Sequence, residues 1–124
     1  MILCDTDILI EFFKGNETIV GTLRDIGQGR LAVSHVTVAE LYFGALNKAE
    51  LARIRRDLAR LHAYPISAGI SQRFLRLMET YSLSHKLALP DALIAATALE
   101  HDLNLLTLNW KDFRFITGLR LHGA

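Results

Sequence analysis

Four acidic residues stand near the ends of apolar runs and the starts of predicted helices: Asp5, Glu40, Asp91 and Asp112. The carboxyl ends of parallel strands open on one edge of an α/β sheet, so side chains that follow different strands can meet in the crevice there. Carboxylates gathered in this way repel one another unless a cation lies among them. Divalent ions such as Mg²⁺ prefer oxygen ligands. The four acids therefore predict a divalent-metal site at the carboxyl edge of a parallel sheet.

Each acid also has an explanation that needs no metal. Asp5 or Asp7 could cap the helix that follows, and Thr37 with Glu40 matches a T-x-x-E capping box. Asp91 lies in a predicted first helical turn, where the helix dipole favours a carboxylate. However, a buried carboxylate is costly unless it is paired or bound to a cation. The motifs around the first three acids contain no Arg or Lys, which favours the metal.

Three further polar residues lie beside these acids and could orient a carboxylate or a metal-bound water: Thr6, Thr107 and Asn109. A divalent ion lowers the pKa of a bound water, orients it and offsets charge on phosphoryl oxygens. None of the histidines has a spacing typical of metal ligands. The pattern favours metal-assisted cleavage of a phosphodiester, in which the carboxylates hold the ion.

The composition fits one globular domain over residues 1–124, with 51% hydrophobic and 22% charged residues. Lys and Arg number 14 against 13 Asp and Glu, so the net charge of +1 gives no evidence for nucleic-acid binding. Cys4 is the one cysteine, which excludes a disulfide within the chain. The sequence shows neither a signal peptide nor a membrane span, so we expect a cytoplasmic protein without membrane contact.

Short apolar runs alternate with helical patterns along the chain. Strands are predicted at residues 2–4, 31–34, 64–66, 105–108 and, at an edge, 119–121. Helices are predicted at residues 6–13, 17–26, from 37 onward, 50–62, 67–81 and 91–100, with a loop over 82–89. This alternation favours an α/β fold with a mostly parallel sheet and helices on both faces.

The motifs that carry the acids resemble those of the PIN-domain ribonucleases, in particular the small VapC-type toxins of toxin–antitoxin pairs. The resemblance covers essentially the whole chain and rests on residues 5–7 (DTD), 36–41 (VTVAEL), 89–96 (LPDALIAA), 106–109 (LTLN) and 112–113 (DF). It implies a three-layer α/β/α sandwich with a five-stranded sheet. It also implies an endoribonuclease that uses Mg²⁺ or Mn²⁺, forms a homodimer and is inhibited by an antitoxin protein.

The resemblance assigns Asp5, Glu40, Asp91 and Asp112 to the acidic pocket that binds the metal and performs catalysis. We expect Asp5 and Asp91 to be the principal ligands, and Glu40 to bind the metal or position the attacking water. Asp112 would complete the set or hold a second ion. Thr6, Thr107 and Asn109 match supporting positions.

Other proteins share parts of this pattern. The DTD motif is similar to the opening signature of haloacid-dehalogenase phosphotransferases, although Leu9 stands where that signature has Thr or Val. A receiver-type phospho-acceptor switch has a similar length and sheet topology, but it needs an Asp at the end of the third strand, where this chain has Pro65-Ile66-Ser67. A PIN domain that only binds is a third alternative, which retention of all four acids disfavours.

Cationic and aromatic residues outside these motifs are candidates for contacts with RNA. The cations are Lys14, Lys48, Arg53, Arg56 and Lys86, and the aromatic residues are Phe12, Phe13, Tyr42, Phe43 and Trp110. We favour a solvated helix face as the explanation of the arginines, and aromatic residues at such spacing more often fill the core or a dimer interface.

Overall fold

The computed structural model describes residues 1–123, and Ala124, the last residue of the expected domain, lies outside them. Its sheet has four parallel strands in the order β3-β2-β1-β4. The strands are β1 (Ile2–Cys4), β2 (Leu31–Ser34), β3 (His62–Tyr64) and β4 (Asn104–Leu106). The receiver-type order is 2-1-3-4-5, so the topology excludes that alternative.

Six α-helices connect and cover the strands. They are α1 (Thr6–Phe13), α2 (Glu17–Ile26), α3 (His35–Phe43), α4 (Lys48–Leu58), α5 (Ala68–His85) and α6 (Leu89–Glu100). Several begin at a side chain that accepts a hydrogen bond from a free backbone N–H of the first turn. Asn47 does so for α4 and Ser67 for α5, at 2.8 and 3.2 Å. Local polar residues thus define where these helices start.

The central strand β1 separates two apolar layers. Its side chains alternate, as they must in a strand. Leu3 packs into one cluster with Ile70 of α5 and Ile94 of α6. Ile2 and Cys4 pack into the other, which includes side chains of α1, α2 and α4. The expected three-layer α/β/α arrangement is therefore present, and a strand buried on both faces explains the uninterrupted apolar run of β1.

Several expected boundaries were wrong. The fifth strand is absent from the described residues, because Leu121 makes only an isolated bridge to Leu105. The third strand begins at His62 instead of residue 64, and α5 continues to His85, which leaves a much shorter loop before α6. The polar stretch after Tyr81 resembled a loop in sequence. It remains helical while Tyr81 packs against Phe115, a contact invisible to local patterns.

The capping box at the start of α3 was also wrong. Ser34 is the N-cap, and its hydroxyl accepts from Val36 N at 3.2 Å. Thr37 lies inside the first turn and is fully buried. Thr37 and Glu40 are therefore free for contacts outside their own helix.

In residues 1–123, no helix combines the length and the apolar character that a membrane crossing requires.

Candidate active site

The end of β1 places Asp5 at the carboxyl edge of the sheet. The carboxylate Oδ1 accepts from Thr6 N at 2.8 Å and caps α1, and Oδ2 accepts from the Thr107 hydroxyl at 2.7 Å. The Asp5 backbone N–H donates to Leu106 O at 2.9 Å, which extends the pairing with β4. Asp5 is 4% exposed. Asp5 is therefore both the cap of α1 and a buried acid, held by hydrogen bonds from Thr6 and Thr107.

A chain of hydroxyl groups positions Glu40. Thr6 donates its hydroxyl proton to Glu40 Oε1 at 2.8 Å, and the Thr6 and Thr37 hydroxyl oxygens are also 2.8 Å apart. A hydroxyl has one proton, so Thr37 must donate to Thr6. This relay joins α1 to α3 and explains why Thr37 is buried at the base of the site.

Asp7 belongs to the same network, although the sequence suggested only a capping role for it. Its Oδ2 accepts from Leu108 N at 3.1 Å and from Asn109 Nδ2 at 2.9 Å. Its Oδ1 is buried and has no hydrogen-bond partner in residues 1–123. Asn109, predicted to support the four acids, supports Asp7 instead. The two-residue spacing of Asp5 and Asp7 was the available signal.

Asp91 lies half-buried in the first turn of α6, which has no side-chain cap. Burial, as the largest cause, and the negative charges of Asp112, Glu40 and Asp7 together raise its pKa from 3.8 to about 6. The dipole of α6 alone would favour the charged form. Burial and repulsion therefore outweigh the dipole at this position.

The pKa of Asp5 is also set by opposing effects. Burial is the largest cause that raises its pKa to about 7, followed by repulsion from Asp7 and, more weakly, from Asp91. The hydrogen bonds from Thr107 and Thr6 oppose this rise. Burial also raises the pKa of Asp7. No salt bridge within residues 1–123 involves any of these acids. The site thus holds excess negative charge that the protein does not neutralise.

Asp112 ends a short 3₁₀ turn, Trp110–Asp112, and is exposed. It lines a cleft of about 420 Å³ together with Asp91. The charges of Asp112 and Glu40 raise the pKa of Asp91, and the charge of Asp91 raises that of Asp5, so all three other predicted acids lie near Asp91. The structure thus brings the acids from four distant segments to one edge of the sheet.

The donor set fits a hard divalent ion in its chemistry. All candidate ligands are oxygens, and the unpartnered Oδ1 of Asp7 adds a buried acceptor without a donor. Within the described part of the chain, no three Asp, Glu, His or Cys side chains are arranged as a finished metal site. Binding of an ion would therefore require side-chain adjustment, which relief of the repulsion would favour.

Comparisons with known proteins agree with this site. A profile of the PIN domain matches residues 2–117. Ribonuclease VapC10 of Mycobacterium tuberculosis is 40% identical over 97% of this chain and 91% of its own length. Ribonuclease VapC1 of Rickettsia felis is 30% identical over 97% and 93%. A chain of a toxin–antitoxin complex from Klebsiella pneumoniae is 37% identical, with a TM-score of 0.83 over 96% of this chain and 95% of that chain.

A parallel α/β/α domain with an acidic crevice at its carboxyl edge is the class that the fold and the site define. The chain belongs to the PIN-domain family. The resemblance inferred from the motifs is therefore confirmed, and the curated relatives named above are ribonucleases, as it implied.

Proposed function

We propose that this chain is a metal-dependent endoribonuclease and the toxin of a toxin–antitoxin pair. The observation that carries the proposal is the convergence of Asp5, Glu40, Asp91 and Asp112 at one sheet edge without a cationic partner in residues 1–123. Membership of the PIN-domain family supports the ribonuclease activity. We take residues 1–124 to be a single catalytic domain that acts on RNA in the cytoplasm.

The same four carboxylates would hold the ion, which we propose to be Mg²⁺ or Mn²⁺. When bound, such an ion activates a water and offsets charge on the phosphate. The unpartnered Oδ1 of Asp7 is a further acceptor beside them. The raised pKa values of Asp5 and Asp91 support this assignment. Burial disfavours the charged carboxylates, and a bound cation would stabilise them.

The side chains around the acids orient them for this chemistry. The relay from Thr37 through Thr6 occupies Glu40 Oε1 and fixes that carboxylate. Within residues 1–123, Glu40 Oε2 accepts no hydrogen bond, so it is available to orient an attacking water or to take its proton. Thr107 fixes Asp5 from the opposite side of the site.

An antitoxin and a second copy of the chain are the proposed protein partners. The solved Klebsiella pneumoniae relative is a toxin–antitoxin complex. An apolar groove of about 530 Å³ between α1, α2 and α4, which Phe12, Phe13 and Leu23 help to line, is suited to an antitoxin segment. Phe43, the last residue of α3, and Leu46, just beyond it, are 94% and 85% exposed, which supports a homodimer that covers them.

A ribonuclease assay tests the activity. Purified protein should cleave labelled RNA in Mg²⁺ or Mn²⁺ and stop in EDTA. Asp91→Asn should lower the cleavage rate by more than about 100-fold, because it removes a proposed ligand with little change of volume. Asp25→Asn, an exposed acid on α2, is the matched control and should retain activity. Undiminished cleavage in EDTA, or by Asp91→Asn, would contradict the assignment.

Growth experiments test the toxin role. Expression of the chain alone should arrest bacterial growth, and coexpression of a small reading frame encoded beside it should restore growth. Normal growth with active enzyme present would argue against a toxin. It would leave the ribonuclease activity standing.

A further inference from the structure

The cleft beside Asp91 and Asp112 has a basic rim. Its lining includes the exposed side chains of Lys86, Lys111 and Arg114. Within residues 1–123, none of these three cations forms a salt bridge or a side-chain hydrogen bond. Three cations without protein partners, next to the acidic pocket, are available to a bound anion.

The same rim contains a fixed aromatic surface. The His85 and Phe115 rings are stacked, with centroids 4.0 Å apart and an interplanar angle of 11°. Tyr81 packs edge-on against both rings. Its hydroxyl accepts from Thr117 N at 3.1 Å, which ties α5 to the segment after the 3₁₀ turn. His85 is exposed and lines the cleft, so its side chain is accessible to a bound molecule there.

The backbone at Lys86 favours a binding role for this rim. Lys86 caps α5 in the left-handed conformation, with φ 53° and ψ 41°. Glycine adopts this conformation without strain, whereas other residues do so uncommonly. Leu87, the next residue, is buried and anchors the turn into α6. The chain thus keeps a cation where backbone geometry alone would favour glycine.

We propose that this cleft binds single-stranded RNA beside the phosphate to be cleaved. Lys86, Lys111 and Arg114 contact backbone phosphates, and an unpaired base stacks on the ring of His85. Cations that follow the backbone combined with aromatic surfaces for bases are what single-strand recognition requires. A base within a duplex has no free face for such stacking, so the cleft selects unpaired segments. This inference rests on the proposed ribonuclease function.

Three other cations that the sequence suggested already have contacts within the protein. Lys14 lies 3.8 Å from Glu11, and Arg56 lies 3.8 Å from Asp57. Arg53 lies over the Phe13 ring, 5.5 Å from its centroid. Of the cations that the sequence suggested for RNA binding, only Lys86 lines this cleft. Lys111 and Arg114 were not among those candidates.

Binding of a fluorescent oligouridylate in EDTA, where metal-dependent cleavage is blocked, tests the phosphate contacts. The test variant replaces Lys86, Lys111 and Arg114 by Ala. The control variant removes the same charge at the opposite edge of the sheet, by replacing Arg24, Arg30 and Arg60. We expect the test variant to bind at least about tenfold more weakly at low salt, and its log affinity to depend on log salt with a slope shallower by about 2. The control variant should show a smaller loss of affinity and a smaller change in the salt slope than the test variant.

His85→Ala tests the stacking. We expect it to weaken oligouridylate binding by about fivefold or more and to have no effect on an abasic oligonucleotide of equal length. His101→Ala is the matched control, because His101 is also exposed and its ring centroid lies 4.2 Å from that of Tyr64, at an interplanar angle of 32°, but at the far end of α6. An equal loss with the abasic oligonucleotide would overturn the stacking assignment.

The outcomes separate this inference from the function on which it rests. If the wild type cleaves RNA while the test variant binds as tightly as the control, the cleft inference is overturned and the ribonuclease stands. If the wild type cleaves no RNA with Mg²⁺ or Mn²⁺ but its binding in EDTA depends on the cleft cations, the nuclease proposal fails and the cleft stands as a binding site.

Discussion

The hydroxyl of Thr107 donates to Asp5 Oδ2 across 2.7 Å, although 102 residues separate the two in sequence. This bond joins the ends of the neighbouring strands β1 and β4. It stabilises the charged form of a carboxyl group whose burial favours the neutral form. The contact therefore holds Asp5 in place and preserves part of its charge.

Thr107→Val should raise the pKa of Asp5 still further, because it removes a hydrogen bond that lowers that pKa. Valine has nearly the same shape as threonine, so the packing should be kept. The acidic limb of the pH–rate profile should move to higher pH, and Thr107→Ser should restore it. A profile identical to that of the wild type would show that this bond does not control the charge of Asp5.

Asp91→Asn should stabilise the metal-free protein near pH 7.5. The pKa of Asp91 is raised from 3.8 to about 6, so the folded protein binds the proton more tightly than the unfolded chain. Stability that this group contributes is therefore lost as pH rises from about 4 through about 6. Discounted for its partial exposure, the gain on removing the charge is about 1 kcal/mol, or about 4 °C in Tm. Thermal melts in EDTA should show this gain at pH 7.5 and little difference at pH 4.

Mn²⁺ or Mg²⁺ should raise the Tm of the wild type at pH 7.5, because an ion that binds only the folded state stabilises it. The rise should be smaller in Asp91→Asn and should vanish as pH falls below about 6, where protons compete for the carboxylate. Isothermal calorimetry provides a second measurement. Equal shifts in the wild type and in Asp91→Asn would contradict ligation by Asp91.

Thr6→Val should lower both stability and activity. The variant leaves the buried Thr37 hydroxyl without its acceptor and Glu40 without its donor. Loss of such buried hydrogen bonds costs about 1–3 kcal/mol, which urea denaturation would measure. Thr6→Ser retains the hydroxyl and should restore both properties. Activity equal to the wild type in Thr6→Val would show that the relay does not position Glu40 for chemistry.

Asp7→Asn should lower the pKa of Asp5, since repulsion from Asp7 is the second largest cause that raises it. Titration of the Asp5 carboxyl carbon by NMR in EDTA measures this directly. Glu11→Gln, one helical turn beyond Asp7 on α1, is the matched control and should leave that titration unchanged. An unaltered Asp5 titration in Asp7→Asn would show that the two carboxylates are not coupled.

Local sequence predicted much of the fold. Apolar runs correctly indicated β1 and β2, and α2 spans Glu17–Ile26, the range predicted for it. The capping box predicted at Thr37 is absent because Ser34 is the N-cap of α3. The Thr37 hydroxyl is hydrogen-bonded to that of Thr6 instead. Local sequence rules predict which residue caps a single helix. They do not include the hydrogen bond between α1 and α3 that Thr37 makes.

The sequence alone determined the kinds of groups available: four acids after apolar runs, hydroxyls beside them, and a parallel α/β order that gathers such residues at one edge. Only the tertiary structure decided which groups meet. It paired Thr107 with Asp5, brought Asp7 into the site, and placed Lys86, Lys111 and Arg114 along the cleft. The reason is physical: hydrogen bonding and repulsion act through distances in space, and the packing of α1, α3 and α6 around the sheet sets those distances.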